Sequence, residues 1–360
     1  MIAAFRFMSL WIVTSVAVQL LSPGAAAADS IRDAQWHLPF LRISETHSIS
    51  LGDRVTVAVV DTGVDASHPD LANAVGSGSV VNGVGDGRTD SNGHGTSMAG
   101  LIAARGQQDV VGALGVAPRA VIIPIAIPDY GPSSVSAGID QAVVMGAKII
   151  CLALTSSDDR LLETAIQRAL QEDIVVVAGV GNRPSVGVQV PANYAGVVAA
   201  VGIDQAGNHA DISVAGPEAM LAAPAVDIVS TDRARGYAKG TGTSASTAII
   251  AGVAALVRSR FPELKATEVV HRMTATAIDR GPPGRDREYG FGIVNPVAAL
   301  TADVPPLSAE LSPSPSRAVG QSDPPAGGAG GLGALVAALV VVAGLATVVG
   351  AVVLLSRRAR

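Results

Sequence analysis

The chain has 360 residues, of which 49% are apolar and 15% are charged, and its formal net charge is −5. This composition excludes a disordered polar chain and a highly charged coiled coil. Only 3% of the residues are aromatic and the net charge is not positive, so the chain lacks the footprint of a nucleic-acid-binding protein. A single cysteine, Cys151, excludes both an internal disulfide framework and a zinc site built from cysteines.

The first 28 residues have the pattern of a secretory signal peptide. Arg6 precedes an apolar run over residues 8–21, and small residues follow up to Ala28. This order predicts cleavage near Ala28. A membrane anchor is the alternative, but the apolar run is short and ends before Pro23, which favours the signal peptide. Residues 29–54 then form an N-terminal extension of the mature protein.

Residues 55–301 alternate short apolar runs with segments of helical spacing, as expected for an α/β domain. Helical spacing is present at residues 133–147 and 160–172. The runs are apolar on both faces, as in sheets that are covered on both sides. Strand–helix–strand alternation predicts a parallel central sheet with right-handed crossovers. The predicted strands are residues 55–60, 121–127, 148–154, 174–180 and 197–203.

A linker and a membrane anchor are predicted after this domain. Residues 302–331 are rich in proline, serine and glycine, which predicts an extended stalk without a core. Residues 332–355 carry no charge, and as a helix they would span roughly 36 Å, enough to cross a bilayer. The basic tail, 356–360, is predicted to be cytoplasmic by the positive-inside rule. We therefore expect a single-pass protein of the cell membrane whose domain is extracytoplasmic.

Candidate reactive groups collect where predicted strands end and helices begin, because these points meet at one edge of a parallel sheet. Asp61 ends the first apolar run. A carboxylate beside glycine also caps turns, so Asp61 alone predicts either role. His94 lies between Gly93 and Gly95 at the start of an apolar helix. A lone histidine is more often structural, but the two glycines indicate space for a substrate or a partner.

Two further polar side chains occupy equivalent places. Ser244 lies at the start of another apolar helix, where free backbone N–H groups and the helix dipole would stabilise a developing oxyanion. An N-cap role for Thr243 or Ser244 is the alternative. Asn182 follows the strand predicted at 174–180, and its amide either shapes a turn or donates to the same oxyanion.

The order Asp61, His94, Asn182, Ser244 resembles that of the subtilisin-like serine proteases. The blocks Asp-Thr-Gly, His-Gly-Thr, Gly-Asn and Gly-Thr-Ser carry this resemblance, which covers about residues 55–300. It implies a three-layer subtilisin-like fold. It also implies that Ser244 is the nucleophile and His94 the general base, then acid. Asp61 would orient His94, and Asn182 would be an oxyanion-hole donor.

The arrangement along the chain is similar to that of the mycosins, the membrane proteases of type VII secretion systems in actinobacteria. Signal peptide, subtilisin-like domain, proline-rich stalk, C-terminal anchor and basic tail follow in that order. The segment Gln35-Trp36-His37-Leu38 looks similar to the mycosin N-terminal extension. Residues 29–54 are also too few for the large folding prodomain of secreted subtilisins.

A departure from many subtilisins lies in the segment expected to bind the substrate backbone. Where those proteases have Ser-Leu-Gly, this chain has Ala153-Leu154-Thr155, and the threonine adds bulk to the cleft. After the nucleophile, Ala245 replaces the methionine that is frequent there. No substrate preference is therefore carried over from the relatives.

No cofactor and no metal site is predicted. Asp65, Asp70 and Asp109 are scattered, without a ligand spacing that is recognised for calcium. A structural calcium ion stays open as the alternative.

The sequence therefore predicts a membrane-anchored extracytoplasmic serine endopeptidase that hydrolyses peptide bonds in a protein or peptide substrate. The resemblance to mycosins implies association with the membrane complex of a type VII secretion system. The alternative is a structural subunit that stabilises such a complex and has little proteolytic activity.

Overall fold

The computed structural model describes residues 31–107 and 111–307. The predicted signal peptide, the membrane anchor, the basic tail and all but the first six residues of the linker lie outside this part. Across the two described ranges, no helix is both long and apolar enough to cross a bilayer. The signal peptide and the anchor therefore stay predictions.

A seven-stranded sheet forms the centre of the domain, and every neighbouring pair in it is parallel. The strand order is β2-β5-β1-β6-β7-β8-β9. This confirms the predicted α/β class with a parallel central sheet. The strands are β1 (Thr56–Asp61), β2 (Ser79–Val80), β5 (Val121–Ala126), β6 (Ile149–Leu152), β7 (Val175–Gly179), β8 (Val198–Ile203) and β9 (Leu221–Pro224).

Two small antiparallel pairs lie outside the central sheet. One joins β3 (Arg105–Gln107) to β4 (Val111–Leu114), and the other joins β10 (Ile228–Thr231) to β11 (Tyr237–Gly240). The second pair leads directly into a long buried helix. The described helices are α1 (His37–Phe40), α2 (Ile43–His47), α3 (His94–Ala103), α4 (Pro132–Val144), α5 (Arg160–Gln171), α6 (Thr243–Arg260), α7 (Ala266–Ala275) and α8 (Pro296–Thr301).

Helices cover both faces of the sheet, so the domain has the predicted three layers. Side chains of α3 and α6 form one hydrophobic cluster with one face of the strands. Side chains of α4 and α5 form a second cluster with the other face. In β1, for example, Val57 and Val59 belong to the first cluster, whereas Ala58 and Val60 belong to the second. Alternating strand residues thus supply two cores, which explains why the strands are apolar throughout.

The described part of the N-terminal extension packs on the first of these cores. Leu41 and Ile43 are buried there. The Gln35 side chain is fully buried, where its Nε2 donates to the Leu114 carbonyl at 3.1 Å and its Oε1 accepts from the Leu114 N–H at 2.8 Å. Trp36 Nε1 donates to the carbonyl of Val226 at 2.9 Å. This segment is therefore held by paired polar groups as well as by apolar contacts.

A partly buried ion pair near the end of α6 is expected to contribute to stability. The Arg258 side chain is 7% exposed and lies 3.4 Å from Asp173 Oδ2. Changing Asp173 to asparagine removes the carboxylate but leaves the Asp173 backbone carbonyl, which also accepts from Arg258. Because the Asp173 side chain is itself 34% exposed, we expect the free energy of unfolding to fall by about 2 kcal/mol, less than for a fully buried pair. Asparagine keeps the preference for the left-handed backbone at this position, where φ is 60°.

Urea unfolding of the two proteins measures this loss. The exposed pair Arg168–Asp140 provides the control, since these side chains are 50% and 43% exposed. Asp140→Asn is expected to change the free energy of unfolding by less than about 1 kcal/mol. Equal effects of the two substitutions would contradict the prediction.

Candidate active site

Three polar residues of the site come from the ends of strands and the starts of helices. Asp61 is the last residue of β1, His94 is the first residue of α3 and Ser244 is the second residue of α6. Parallel strands end at the same edge of the sheet, and the helices that pack on it begin there. The fold therefore brings together residues that are far apart along the chain.

Asp61 and His94 form a direct hydrogen-bonded pair. Nδ1 of His94 lies 2.8 Å from Oδ2 and 2.9 Å from Oδ1 of Asp61. The Asp61 side chain is fully buried, whereas that of His94 is 31% exposed. The carboxylate also accepts the N–H of Thr62 at 2.8 Å. Because Nδ1 donates to the carboxylate, Nε2 is the nitrogen left to accept a proton.

Both glycines beside His94 lie close to a neighbouring segment of the fold. A Cβ at Gly95 would lie 2.0 Å from the carbonyl oxygen of Gly63. A Cβ at Gly93, whose φ is 104°, would lie 2.1 Å from Asp232 Oδ1. The interpretation that both glycines leave space for a ligand is therefore wrong for Gly95, where backbone fills the space, whereas Gly93 lines the larger cavity beside His94. They allow the start of α3 to approach the turn after β1 and the turn after β10.

Ser244 lies in the first turn of α6, and Gly242 occupies the N-cap position. The Ser244 hydroxyl donates to the carbonyl of Ala153 at 3.0 Å. A hydroxyl has one proton to donate, so in this conformation it is not donating to His94. The Ser244 hydroxyl must turn away from the Ala153 carbonyl before the imidazole can take that proton.

Asn182 lies beside the start of α6. Its Oδ1 accepts the backbone N–H of Thr243 at 2.9 Å. This bond occupies the amide oxygen and leaves the amide N–H₂ group to donate elsewhere. Asn182 is exposed, and it lines the same cavities as His94 and Ser244.

Two cavities meet at these three side chains. The smaller, of about 320 Å³, is also lined by Ala153, Leu154 and Thr155. The predicted substrate-binding segment therefore lies beside the other predicted site residues. The larger cavity, of about 450 Å³, extends on the other side past Ala245. Its other apolar lining residues are Met98, Leu101, Ile228 and Ala238.

Charge on the neighbouring carboxylates controls the protonation of His94. Burial alone would lower the pKa of His94, but the hydrogen bond and the charge of Asp61, together with the charge of Asp90, raise it above 6.5. Tyr130, at the rim of the smaller cavity, has its pKa raised by burial and then by the charges of Asp61 and Asp90.

Sequence reasoning missed both Asp90 and Tyr130. Asp90 lies four residues before His94 in a loop rich in glycine and polar residues, where an aspartate is usually solvated. Tyr130 is 40% exposed and gives no periodic signal. Asp90 lies three residues before the N-cap Gly93, outside the position where a capping aspartate is recognised, so no local signal singles it out.

No group of three or more metal-ligating side chains is present within residues 31–107 and 111–307. Asp109, one of the carboxylates considered for calcium, lies between these ranges. Asp70 is fully buried and accepts the hydroxyl of Tyr237 at 2.8 Å and the N–H of Ala113 at 2.7 Å. Asp65 accepts the hydroxyl of Ser67 at 2.6 Å.

Comparison with known proteins identifies the family. A sequence profile of the peptidase S8, or subtilase, family matches residues 52–292. The chain belongs to the subtilase family. It is 38% identical over 266 residues to a thermostable alkaline protease of Halalkalibacterium halodurans, with 72% of each chain covered. The protein is thus a subtilisin-like serine endopeptidase.

Solved structures of mycosins are similar to this subtilase. A crystal structure of MycP1 without its N-terminal propeptide has a TM-score of 0.68 at 30% identity and covers 75% of this chain and 98% of MycP1. The MycP3 protease from the type VII (ESX-3) secretion system has a TM-score of 0.65 at 33% identity, with 74% and 88% covered. The resemblance inferred from the motifs, to subtilisins and to mycosins, is therefore confirmed.

Proposed function

We propose that this subtilase is a membrane-anchored extracytoplasmic endopeptidase in which Asp61, His94 and Ser244 form the catalytic triad. The observation that carries the proposal is the hydrogen-bonded pair of Asp61 and His94. His94 lines the same two cavities as Ser244 and Asn182. A serine hydroxyl is a weak nucleophile until a base takes its proton. His94 Nε2 is the only ring nitrogen that the pair with Asp61 leaves for this role.

Acyl transfer would proceed in two steps. After rotation away from Ala153, Ser244 Oγ attacks the scissile carbonyl carbon while its proton moves to His94 Nε2. The imidazolium then donates this proton to the leaving amine, and an acyl-enzyme remains on Ser244. Water then attacks the acyl-enzyme while His94 Nε2 takes its proton, and the imidazolium returns this proton to Ser244 Oγ as the acyl–oxygen bond breaks and the second product leaves. Asp61 stabilises the imidazolium and does not itself become protonated.

The oxyanion of the tetrahedral intermediate would be held by two donors. One is the amide N–H₂ of Asn182, whose Oδ1 is fixed by Thr243. The other is the backbone N–H of Ser244, which lies in the first turn of α6 and has no carbonyl partner within the helix. Removal of one such donor typically lowers turnover by about 10²–10³-fold.

The substrate is proposed to cross Ser244 between the two cavities. The acyl part would lie along Ala153, Leu154 and Thr155, and the leaving part would lie in the larger cavity beside Ala245. Ala245 contributes to the size of this second cavity, because a methionine side chain there would extend into it.

The protonation of His94 predicts the acid limb of the pH profile. The general base must be neutral, so the rate rises with pH as His94 loses its proton. Because the pKa of His94 is raised, the limb is expected to lie above pH 6.5. The rate of inactivation by diisopropyl fluorophosphate between pH 5 and 9 measures the limb without a known substrate. A limb centred below pH 6.5 would contradict the prediction.

A fluorophosphonate probe applied to the full-length chain tests the proposed nucleophile. The wild type is expected to be labelled and Ser244→Ala to stay unlabelled. Ser133→Ala is the control, since Ser133 is an exposed serine of α4 that lines neither cavity. Labelling of Ser244→Ala would exclude Ser244 as the reactive group.

The location and the partner are tested separately. We infer the membrane location from the predicted signal peptide, 1–28, and anchor, 332–355, and the type VII secretion partner from the similarity to MycP1 and MycP3. Deleting residues 332–360 is expected to move the protein from the membrane fraction to the medium. Retention of the truncated protein in the membrane would contradict the anchor.

A structural role in the secretion complex is the second candidate. The hydrogen bond from Ser244 to Ala153 favours it, because this bond must break before the serine can be activated. Secretion assays distinguish the two roles. Secretion that fails on deletion of the gene but persists with Ser244→Ala would show that the structural role carries the function.

A further inference from the structure

The start of α3 has an unusual set of partners for its backbone N–H groups. The first N–H groups of a helix have no carbonyl partner within it, and a side chain at the N-cap usually takes one. Here the N-cap is Gly93, which has no side chain to do so. Three side chains from outside the helix accept these N–H groups instead. Asn92 Oδ1 accepts the N–H of His94 at 3.2 Å, and Thr62 Oγ1 accepts that of Gly95 at 3.1 Å. Asp90 Oδ2 accepts the N–H of Thr96 at 2.9 Å.

Asp90 accepts five hydrogen bonds around this turn. Its Oδ1 accepts the hydroxyl of Thr62 at 2.8 Å and the N–H groups of Asn92 and Gly93 at 2.9 Å each. Its Oδ2 accepts both the N–H of Thr96, at 2.9 Å, and the Thr96 hydroxyl, at 2.7 Å. All five partners donate, as an ionised carboxylate requires.

The protonation state of Asp90 agrees with this arrangement. Burial alone would raise the pKa of Asp90. The hydrogen bonds from Gly93, Thr96 and Asn92 outweigh burial and hold this pKa below 3.8. The carboxylate is therefore charged throughout the pH range in which His94 titrates.

Thr62 extends the contacts of Asp90 to the turn that carries Asp61. Thr62 directly follows Asp61, and its hydroxyl donates to Asp90 while it accepts from the N–H of Gly95. The backbone N–H of Thr62 also donates to the Asp61 carboxylate, at 2.8 Å. One chain of hydrogen bonds thus joins the residue that orients His94 to the first turn of the helix that begins with His94.

We propose that Asp90 is a positioning residue of this protease: its carboxylate fixes the first turn of α3 against the Asp61–Thr62 turn and thereby sets the orientation and the charge of the His94 imidazole. The inference rests on the proposed role of His94 as general base. Asp90 acts through His94 and does not touch the reacting atoms.

Several charged or titratable groups surround His94, and Asp90 is one of two that raise its pKa. Asp61, from β1, is the other. Tyr130, from the loop after β5, lines the smaller cavity with His94. After β10, the Asp232 carboxylate faces Gly93, and Arg233 donates to the carbonyl of Ser91. A change at Asp90 removes one negative charge from this set and leaves the others in place.

Two substitutions separate the charge of Asp90 from the contact that it makes. Asp90→Asn removes the charge and replaces one carboxylate oxygen with an N–H₂ group, which cannot accept hydrogen bonds from the donors that face it. We expect this variant to lower the pKa of His94 and to move the acid limb of inactivation by diisopropyl fluorophosphate to lower pH. Thr62→Val removes the hydroxyl bridge but keeps the charge. We expect it to slow inactivation by between about 10-fold and 100-fold without moving the limb.

The control is Asp65→Asn in the same part of the fold. The Asp65 carboxylate also accepts three hydrogen bonds, from Ser67 N, Ser67 Oγ and Ala234 N. It is not among the charges that raise the pKa of His94. Asp65→Asn is therefore expected to leave the acid limb in place, although it removes an equal charge.

The primary measurement is titration of the His94 ring by NMR in the full-length chain, assigned with His94→Gln. An unchanged His94 pKa in Asp90→Asn, or a shift of equal size in Asp65→Asn, would overturn the proposal. If Asp90→Asn fails to fold, the Thr62→Val variant tests the proposal instead. A rate of inactivation of Thr62→Val equal to that of the wild type would overturn the proposal. A wild type that never reacts with the fluorophosphonate contradicts the proposed function alone, because the titration still tests Asp90.

Discussion

Replacing Ser244 with alanine is expected to lower kcat for peptide hydrolysis by about 10⁶-fold, the size of the loss known for the nucleophile of a subtilisin. The reason is that alanine cannot form the acyl-enzyme, so His94 and Asp61 lose the group on which they act. The oxyanion-hole donors stay in place, and they leave a residual acceleration of about 10³-fold over water. Hydrolysis of fluorescently labelled casein by the full-length proteins measures the change.

The matched control for this experiment is Ser246→Ala. Ser246 lies two residues further along α6, where it is fully buried and donates to the carbonyl of Thr243 at 2.8 Å. Its removal changes the same helix without touching either cavity, so hydrolysis is expected to persist. A Ser244→Ala protein that keeps a tenth or more of the wild-type rate would show that another residue is the nucleophile.

Replacing Asp61 with asparagine is expected to lower kcat by about 10⁴-fold. The amide N–H₂ can donate to His94 Nδ1, which then holds the proton on Nε2. In that tautomer the imidazole cannot accept the proton of Ser244. The substitution also removes the hydrogen bond and the charge that raise the pKa of His94, so this pKa is expected to fall.

Casein hydrolysis and titration of the His94 ring together test the role of Asp61. Asp53→Asn is the control, since Asp53 is 51% exposed, pairs with Arg119 at 3.4 Å and lines neither cavity. If Asp61→Asn lowers stability but not kcat, the carboxylate is structural. A fall in kcat with an unchanged His94 pKa would show that orientation matters and charge does not.

Much of the central sheet could be predicted because its strands are buried on both faces. The run predicted at 55–60 became Thr56–Asp61, and that at 148–154 became Ile149–Leu152. The helix predicted at 160–172 is Arg160–Gln171. Burial leaves a continuous apolar signal in a strand and a periodic one in a helix, so both can be recognised locally.

Elements with weak local signals were not predicted. β2 is only two residues long, and β10 and β11 pair through four residues each, partly on the surface. Short strands depend on partners that are distant in sequence, so their own residues carry little information about them. The Ser244–Ala153 hydrogen bond could not be predicted either, because it joins residues that are 91 positions apart along the chain.

Asp90 illustrates the same limit within the site. Its neighbours in sequence predict a solvated loop, but five donors surround its carboxylate in the fold. Two of these donors, both on Thr96, belong to α3, and one, on Thr62, belongs to the turn after β1. Only the packing of these elements against each other lets Asp90 join the turn that follows Asp61 to the helix that begins with His94.

The sequence by itself determined the fold class, the family resemblance and the residues proposed for catalysis, because apolar periodicity and short motifs are local properties of the chain. The tertiary structure decided which of these side chains meet, that Gly95 serves packing, and that Asp90 joins the two turns of the site. These features depend on distances between segments that are far apart in sequence, and such distances exist only after the sheet and its two helical layers have assembled.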